Sequence, residues 1–251
     1  MRILITGHKG FIGSALWERL YLSSDRMHNK NTLYGIDIKD GDDILDTPLP
    51  DVDLVIHLAA RAGVRESVKD PKKYWETNVE GSKRIIEHYK DTRILAASSS
   101  SVYAPHLNPY SATKYIMEQI PHKNICYMRF HTVYNESART GMFFDKLFKG
   151  TVKYITEHER DFIHLEDMLD ALEALIFHPD VKGTFDIGTG RTIKMNDICP
   201  DLPIKTDTPR ERERTCADTS FMNINCGWQA KRLVTEFLKE NHEIIRYYNN
   251  G

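Results

Sequence analysis

No stretch of this chain comes near the roughly 18 consecutive apolar residues that a membrane-crossing helix needs, so a membrane partner is not expected. Cysteine is scarce. Cys126, Cys199, Cys216 and Cys226 show no Cys-x-x-Cys spacing, which argues against a zinc knot or redox pair and for reduced thiols in a cytoplasmic protein. The 11 histidines include no His-x-x-x-His pair and gather no carboxylate cluster, so no metal is expected. An excess of one charge is also missing. The formal net charge of −2 gives no reason to expect nucleic acid as a partner. The opening MRILITGHKG reads as a short strand and a glycine turn rather than a leader peptide. Internal repeats and low-complexity linkers are absent.

What is present is an ordinary globular composition, 41% hydrophobic and 28% charged, over 251 residues, enough for one sizeable domain with an appended lobe. RILIT (2–6), LYGID (33–37), DLVIHLAA (53–60), RILAAS (93–98) and NICYMRF (124–130) read as strands. Helical patterns lie between them at 11–22, 71–90 and about 110–119. Strands alternating with helices imply parallel βαβ units, hence an α/β, Rossmann-like doubly wound parallel sheet. Beyond Val133 the pattern loosens. RDFIHLEDMLDALEALIF (160–177) reads as a strand then an amphipathic helix, TFDIGTG (184–190) as a strand and turn, and AKRLVTEFLKENHEIIRYY (230–248) as a final helix. The division expected is a dinucleotide-binding domain from 1–134 and 160–190, with a small substrate lobe from 135–159 and 191–251.

GHKGFIG (7–13) spaces its glycines G-x-x-G-x-x-G between a strand and a helix. Gly7, Gly10 and Gly13 would let the backbone turn sharply, with Phe11 and Ile12 beginning the helix whose free N–H groups face a pyrophosphate. A glycine triad alone is weak. Here a strand precedes it, a helix follows, and Asp37 ends the second strand 24 residues after Gly13, placed to accept from ribose hydroxyls. A carboxylate there repels a 2′-phosphate and favours NAD over NADP, although among His8, Lys9 and Lys39 a basic residue could tolerate one.

Tyr110 and Lys114 stand four apart, on one face of the expected helix, after a strand that ends in the serine run Ser98–Ser101. The spacing is common; its position at the carboxyl end of a strand is what carries weight. Free tyrosine ionises near 10, and bringing that to 7 takes about 4 kcal/mol, which a nearby ammonium and a cationic nicotinamide could supply. Such a phenolate removes a hydroxyl proton as hydride leaves the same carbon. Without the glycine turn, a surface Tyr–Lys pair would be the simpler reading.

Together ITGHKGFIGS (5–14), GID (35–37), VIHLAA (55–60), TNVEGSKRIIE (77–87), ASSSSVY (97–103), PYSATK (109–114), RFHTVY (129–134), RDFIHLEDM (160–168) and FDIGTG (185–190) resemble the extended short-chain dehydrogenase/reductase superfamily, its NAD-dependent epimerase/dehydratase family. AGVRESVKDPKKY (62–74) and ARTGMF (138–143) resemble the nucleotide-sugar 4-epimerases, the UDP-glucuronate type in particular. The resemblance implies a catalytic base at Tyr110, a helper that also binds the nicotinamide ribose at Lys114, and a hydroxyl partner at Ser99, with Ser98 and Ser100 left open by register. It implies a cofactor site from Gly7, Gly10, Phe11, Ile12, Gly13, Asp37, Asp43, Ile44, Leu58, Ala59, Ala60 and Asn78. Substrate contacts would come from Arg65, Ser99, Ser100, Thr132, Arg139 and Arg214. A homodimer through the 71–90 and 110–119 helices is a further implication. Ser100 and Ser101 stand where sugar dehydratases and decarboxylases of the superfamily carry acids, which leaves epimerisation or reduction.

The expectation is therefore NAD-dependent epimerisation at C4 of a nucleotide-diphosphate sugar, a UDP-hexuronate among the candidates, through a transient 4-keto species. A net NAD(P)-dependent keto-sugar reductase and a non-catalytic NAD-binding protein remain the alternatives. The chain is about a fifth shorter than usual members of the resembled family. PRERER (209–214) reads equally as a phosphate-reaching segment or a self-compensating surface.

Overall fold

The computed structural model describes residues 1–26, 31–206 and 210–241. In chain order its strands are β1 (Arg2–Thr6), β2 (Thr32–Ile36), β3 (Leu54–His57), β4 (Arg93–Ser99), β5 (Ile125–Phe130), β6 (Thr132–Tyr134), β7 (Ile155–Thr156), β8 (Glu159–Arg160), β9 (Phe162–His164), β10 (Gly183–Ile187), β11 (Ile193–Lys194) and β12 (Ile204–Lys205). The helices are α1 (Phe11–Arg26), α2 (Val64–Lys69), α3 (Pro71–Trp75), α4 (Ser82–His88), α5 (Pro109–Glu118), α6 (Phe143–Phe148), α7 (Leu165–Phe177), α8 (Met195–Ile198), α9 (Ser220–Cys226) and α10 (Val234–Glu240). The described residues form two compact units, one within 1–129 with 179–185 and one within 130–178 with 186–241. This partition differs from the expected one. It groups 160–178 with 130–134, because β9 pairs in parallel with β6, Thr132 opposite Phe162 and Tyr134 opposite His164.

The first unit is organised by a six-stranded sheet of order β10-β5-β4-β3-β1-β2. β1 is parallel to both β2 and β3, and β3 to β4. Interior strands are apolar on both faces: Ile3, Leu4 and Ile5 are fully buried, as are Val55 and Ile56 of β3. β2 at the edge alternates exposed and half-buried residues before Ile36. The strand order reverses between β1 and β3, so the carboxyl ends of these two strands flank the topological switch point where doubly wound sheets bind ligands. Leu4, Val55, Ile85, Ile94 and Met117 share one core cluster.

Two elements depart from the strict pattern for visible reasons. The expected strand 53–60 stops at His57: Leu58 N still donates to Thr6 O, but Ala59 N donates to the Thr6 hydroxyl instead of a ladder carbonyl. The expected helix 71–90 is a capped run, with Pro71 at its first turn and Asp70 accepting from Lys73 N. It widens into a π-turn over Glu76–Gly81 before continuing as α4.

The second unit packs around aromatic side chains. Tyr134 stacks on Phe144 with ring centroids 4.8 Å apart and meets Phe237 edge-on at 5.1 Å. Phe144 and Trp228 are both buried, which makes them core rather than platforms for a base. The final helix is seen as α10; residues 242–248 of the expected helix, and Pro209 of the arginine–glutamate run, lie outside the described residues.

Candidate active site

The glycine turn follows β1 directly and is drawn tight by its own backbone. Gly10 N donates to Gly7 O at 2.9 Å and Ser14 N to Gly10 O at 2.9 Å, which starts α1. Gly7 has φ +74°, and a Cβ there would sit 2.7 Å from Ala59 N. A Cβ at Gly13 would fall 2.1 Å from Gly7 O. No side chain fits at either place, so the loop after β3 and the turn after β1 approach each other backbone to backbone. Phe11 and Ile12 form the first turn of α1.

Asp37 lies one residue past β2 with its carboxylate buried. Its Oδ1 accepts from Lys39 N and its Oδ2 from Lys9 N, both at 2.9 Å. Each oxygen retains acceptor capacity. Asp43 Oδ1 accepts from Leu45 N, and Ile44 is buried against Gly81, with its carbonyl held by Arg84 Nη1 at 2.8 Å.

Leu58, Ala59 and Ala60 follow β3 and are positioned from below by side chains that the sequence reading had not singled out. Thr6 Oγ1 accepts from Ala59 N and lies 2.7 Å from His57 Nδ1, while His57 Nε2 lies 2.9 Å from Ser82 Oγ, so each ring nitrogen has a hydroxyl partner. Burial, with the charge of Lys114 second, pushes the His57 pKa down to about 3, so the imidazole is neutral. Asn78, in the π-turn, grips Arg61 twice, accepting from its N–H at 2.8 Å and donating to its carbonyl at 2.9 Å. Its amide also donates to Thr113 Oγ1, tying this loop to α5.

α5 carries Tyr110 and Lys114. Asn108 caps it by accepting from Ser111 N at 2.8 Å, and Pro109 occupies its first turn. Tyr110 is half-buried with its ring edge-on to Tyr74, centroids 6.3 Å apart. Lys114 is buried, and its Nζ donates to Ala97 O on β4 at 2.7 Å. Burial lowers its pKa to about 8, opposed by the nearby charge of Glu118.

The serines separate by strand alternation. Ser98 Oγ donates to Glu118 Oε1 at 2.5 Å, while Ser99 Oγ accepts from Ser101 N at 3.2 Å and caps the short 3₁₀ turn Ser100–Tyr103. Ser100 is buried in that turn. Glu118 is itself clasped by Arg129, Nη2 to Oε2 at 2.8 Å, and the guanidinium reaches on to Tyr103. The glutamate one turn beyond Lys114 was the available signal for this cluster. Arg65 is exposed on α2.

In the second unit Thr132 opens β6, and the exposed Arg139 has Nη2 3.3 Å from Met142 Sδ. Arg214 is paired with Glu159 at 3.2 Å, and residues 213–215 run beside β8 through Glu159 N to Glu213 O and Thr215 N to Glu159 O. Arg160 donates to the carbonyls of Arg212 and Glu213. The arginine–glutamate run is thus an anchored edge segment. Asp161 is fully buried and accepts four bonds, from Thr189 N and Oγ1, Gly190 N and Ala217 N. That carboxylate ties the RDF segment (160–162) to the GTG turn (188–190). Among the described residues no cluster of metal-ligating side chains occurs, and no helix is long and apolar enough to cross a membrane.

The profile of the NAD dependent epimerase/dehydratase family matches residues 3–188. The chain belongs to that family. It is 28% identical to a UDP-glucuronate 4-epimerase of Thermodesulfobacterium geofontis over 78% of this chain and 75% of the relative. A putative UDP-glucose 4-epimerase of Methanocaldococcus jannaschii is 29% identical, over 78% of this chain and 79% of the relative. Among solved structures, MoeE5 in complex with UDP-glucose and NAD superposes with a TM-score of 0.85 at 25% identity, covering 98% of this chain and 99% of the other. A Bacillus cereus UDP-glucuronic acid 4-epimerase, in complex with UDP-glucuronic acid and NAD, does so with 0.81 at 25% identity and the same coverage. As a member of this epimerase/dehydratase family the chain is an NAD-dependent enzyme. The first unit fits the cofactor on its own evidence: a turn with no room for side chains, and a buried carboxylate beside it with acceptor capacity to spare.

Proposed function

We propose that this enzyme epimerises C4 of a nucleotide-diphosphate sugar, a UDP-hexuronate in the first instance. The observation that carries the proposal is the setting of Lys114: a buried ammonium, one helical turn from Tyr110, fastened to β4 two residues before Ser99. NAD, when bound, supplies the acceptor and later the donor of hydride. In this reading Gly7, Gly10, Phe11, Ile12 and Gly13 hold the pyrophosphate and Asp37 the adenosine ribose. Asp43 and Ile44 flank the adenine, and Leu58, Ala59, Ala60 and Asn78 line the path toward Lys114.

Tyr110, as phenolate, accepts the proton of the 4-hydroxyl and returns it when the opposite epimer forms. Lys114 and the amino-terminal turn of α5 stabilise that phenolate electrostatically. Ser99 holds the substrate oxygen, with Ser100 beside it. Ser100 and Ser101 provide no carboxyl group to expel a neighbouring hydroxyl, which supports epimerisation over dehydration. The UDP-glucuronate-type relatives support the choice of nucleotide and acid. Arg65, Thr132, Arg139 and Arg214 are assigned to the sugar nucleotide, Arg214 after exchange of its Glu159 partner. We also assign a homodimer through the helices spanning 71–88 and α5, whose Trp75 and Tyr115 are 44% and 43% exposed.

The test is incubation with UDP-glucuronate, UDP-glucose and GDP- and dTDP-sugars, resolved by NMR. An equilibrating pair of 4-epimers with no net NADH change supports the proposal. Net NADH formation with an oxidised sugar, or stoichiometric NADH consumption when NADH and a keto-sugar nucleotide are supplied instead, would replace it with a dehydrogenase or reductase.

A further inference from the structure

The segment after β2 is fastened to the glycine turn by more than Asp37. Lys39 Nζ donates to Lys9 O at 2.7 Å. Asp40 pairs with the Lys9 ammonium through Oδ1 and stands 3.2 Å from His8 Nε2 through Oδ2. Two lysines and two carboxylates thus surround the place where Asp37 meets the backbone of Lys9 and Lys39. The balance of formal charge is zero, and both cations already have partners.

We propose that Asp40 is a cofactor-specificity residue: by engaging the Lys9 ammonium, with His8 beside it, it denies a 2′-phosphorylated dinucleotide the donors it would need. This rests on the reading of Asp37 as the ribose carboxylate. A 2′-phosphomonoester brings close to two negative charges and seeks charge-assisted bonds from lysine or arginine. With Asp40 present it meets two carboxylates, Lys9 paired with one of them and Lys39 bonded to the Lys9 carbonyl. With Asp40 replaced by its uncharged isostere, two lysines face a single carboxylate and Lys9 is released to bond the phosphate. The Lys9–Asp40 pair is solvent-accessible, with side chains 47% and 30% exposed. Such pairs add little to folding stability, so its loss is read in ligand choice and not in the fold.

The experiment is direct titration of NAD and of NADP against the wild-type chain, Asp40→Asn, Asp40→Asn/Lys9→Gln and Asp37→Asn, at low ionic strength, without sugar substrate. Asp40→Asn is expected to bind NADP about ten-fold more tightly, roughly 1.4 kcal/mol, while NAD changes by less than about two-fold. Adding Lys9→Gln is expected to cancel the gain. An unchanged ratio of NADP to NAD affinity in Asp40→Asn, or a gain that survives Lys9→Gln, overturns the proposal. Asp37→Asn is expected to weaken NAD. Should it bind NAD as the wild type does, the ribose reading itself falls, and the proposal with it.

Discussion

His57 offers the sharpest quantitative test of how the switch point is built. Its imidazole is wholly buried between the Thr6 and Ser82 hydroxyls, and burial together with the Lys114 charge lowers its pKa from 6.5 to about 3. The folded state therefore resists protonation that the unfolded chain accepts. Stability from this group is complete above pH 6.5, falls as the pH drops below it, and is exhausted near pH 3. At 1.36 kcal/mol per unit, lowering the pH from 8 to 5 costs about 2 kcal/mol through His57 alone, and roughly 4 kcal/mol by pH 3. Urea unfolding at pH 8 and pH 5, for the wild type and His57→Gln, isolates this amount. His158 and His164, whose pKa values are also lowered by burial, are present in both proteins and cancel. His57→Gln is less stable at pH 8, since it disturbs the Thr6 and Ser82 bonds, but its stability falls by about 2 kcal/mol less between the two pH values. Parallel pH dependence in the two proteins would show that His57 is charged or solvated, and would refute the buried network.

Further outcomes follow from the same geometry. With Lys114 held at about 8, kcat/KM is expected to decline on the alkaline side around that pH, as the ammonium one helical turn from Tyr110 is lost. In Glu118→Gln, which lacks the opposing charge, that limb moves to lower pH; a pH–rate profile measures both. Gly13→Ala places a methyl against Gly7 O, and NAD titration of that variant is expected to show at least a ten-fold loss of affinity or no binding. Asp161→Asn turns an acceptor of four bonds into a group whose NH₂ faces donors, with an expected cost of about 3 kcal/mol in denaturant unfolding.

The parts of this chain that were legible in advance are those fixed by local rules. β1, its glycine turn and α1 follow from an apolar run, three glycines and helical periodicity, and α5 from Asn108, Pro109 and the apolar spacing behind them. The position of Asp37, buried one residue past β2, was readable because it depends on distance along the chain. What escaped was long-range pairing. Nothing local in VIHLAA says that His57 will find Thr6 and Ser82, 51 and 25 residues away. Arg214 reads as an available cation until β8 brings Glu159 to it, and the α7 region reads as part of the first unit until β9 pairs with β6. The serine run was ambiguous because four identical residues carry no register; the strand itself turns Ser98 toward Glu118 and leaves Ser99 at the 3₁₀ turn.

Tyr110 carries the proton transfer of the proposed reaction. Single-turnover assays of Tyr110→Phe with UDP-glucuronate, alongside NAD titration of the same preparation, test it directly. Retained NAD binding with epimerisation reduced by about 10²-fold or more is the predicted result. Epimerisation at the wild-type rate would contradict the assignment of Tyr110 as the proton-transferring group.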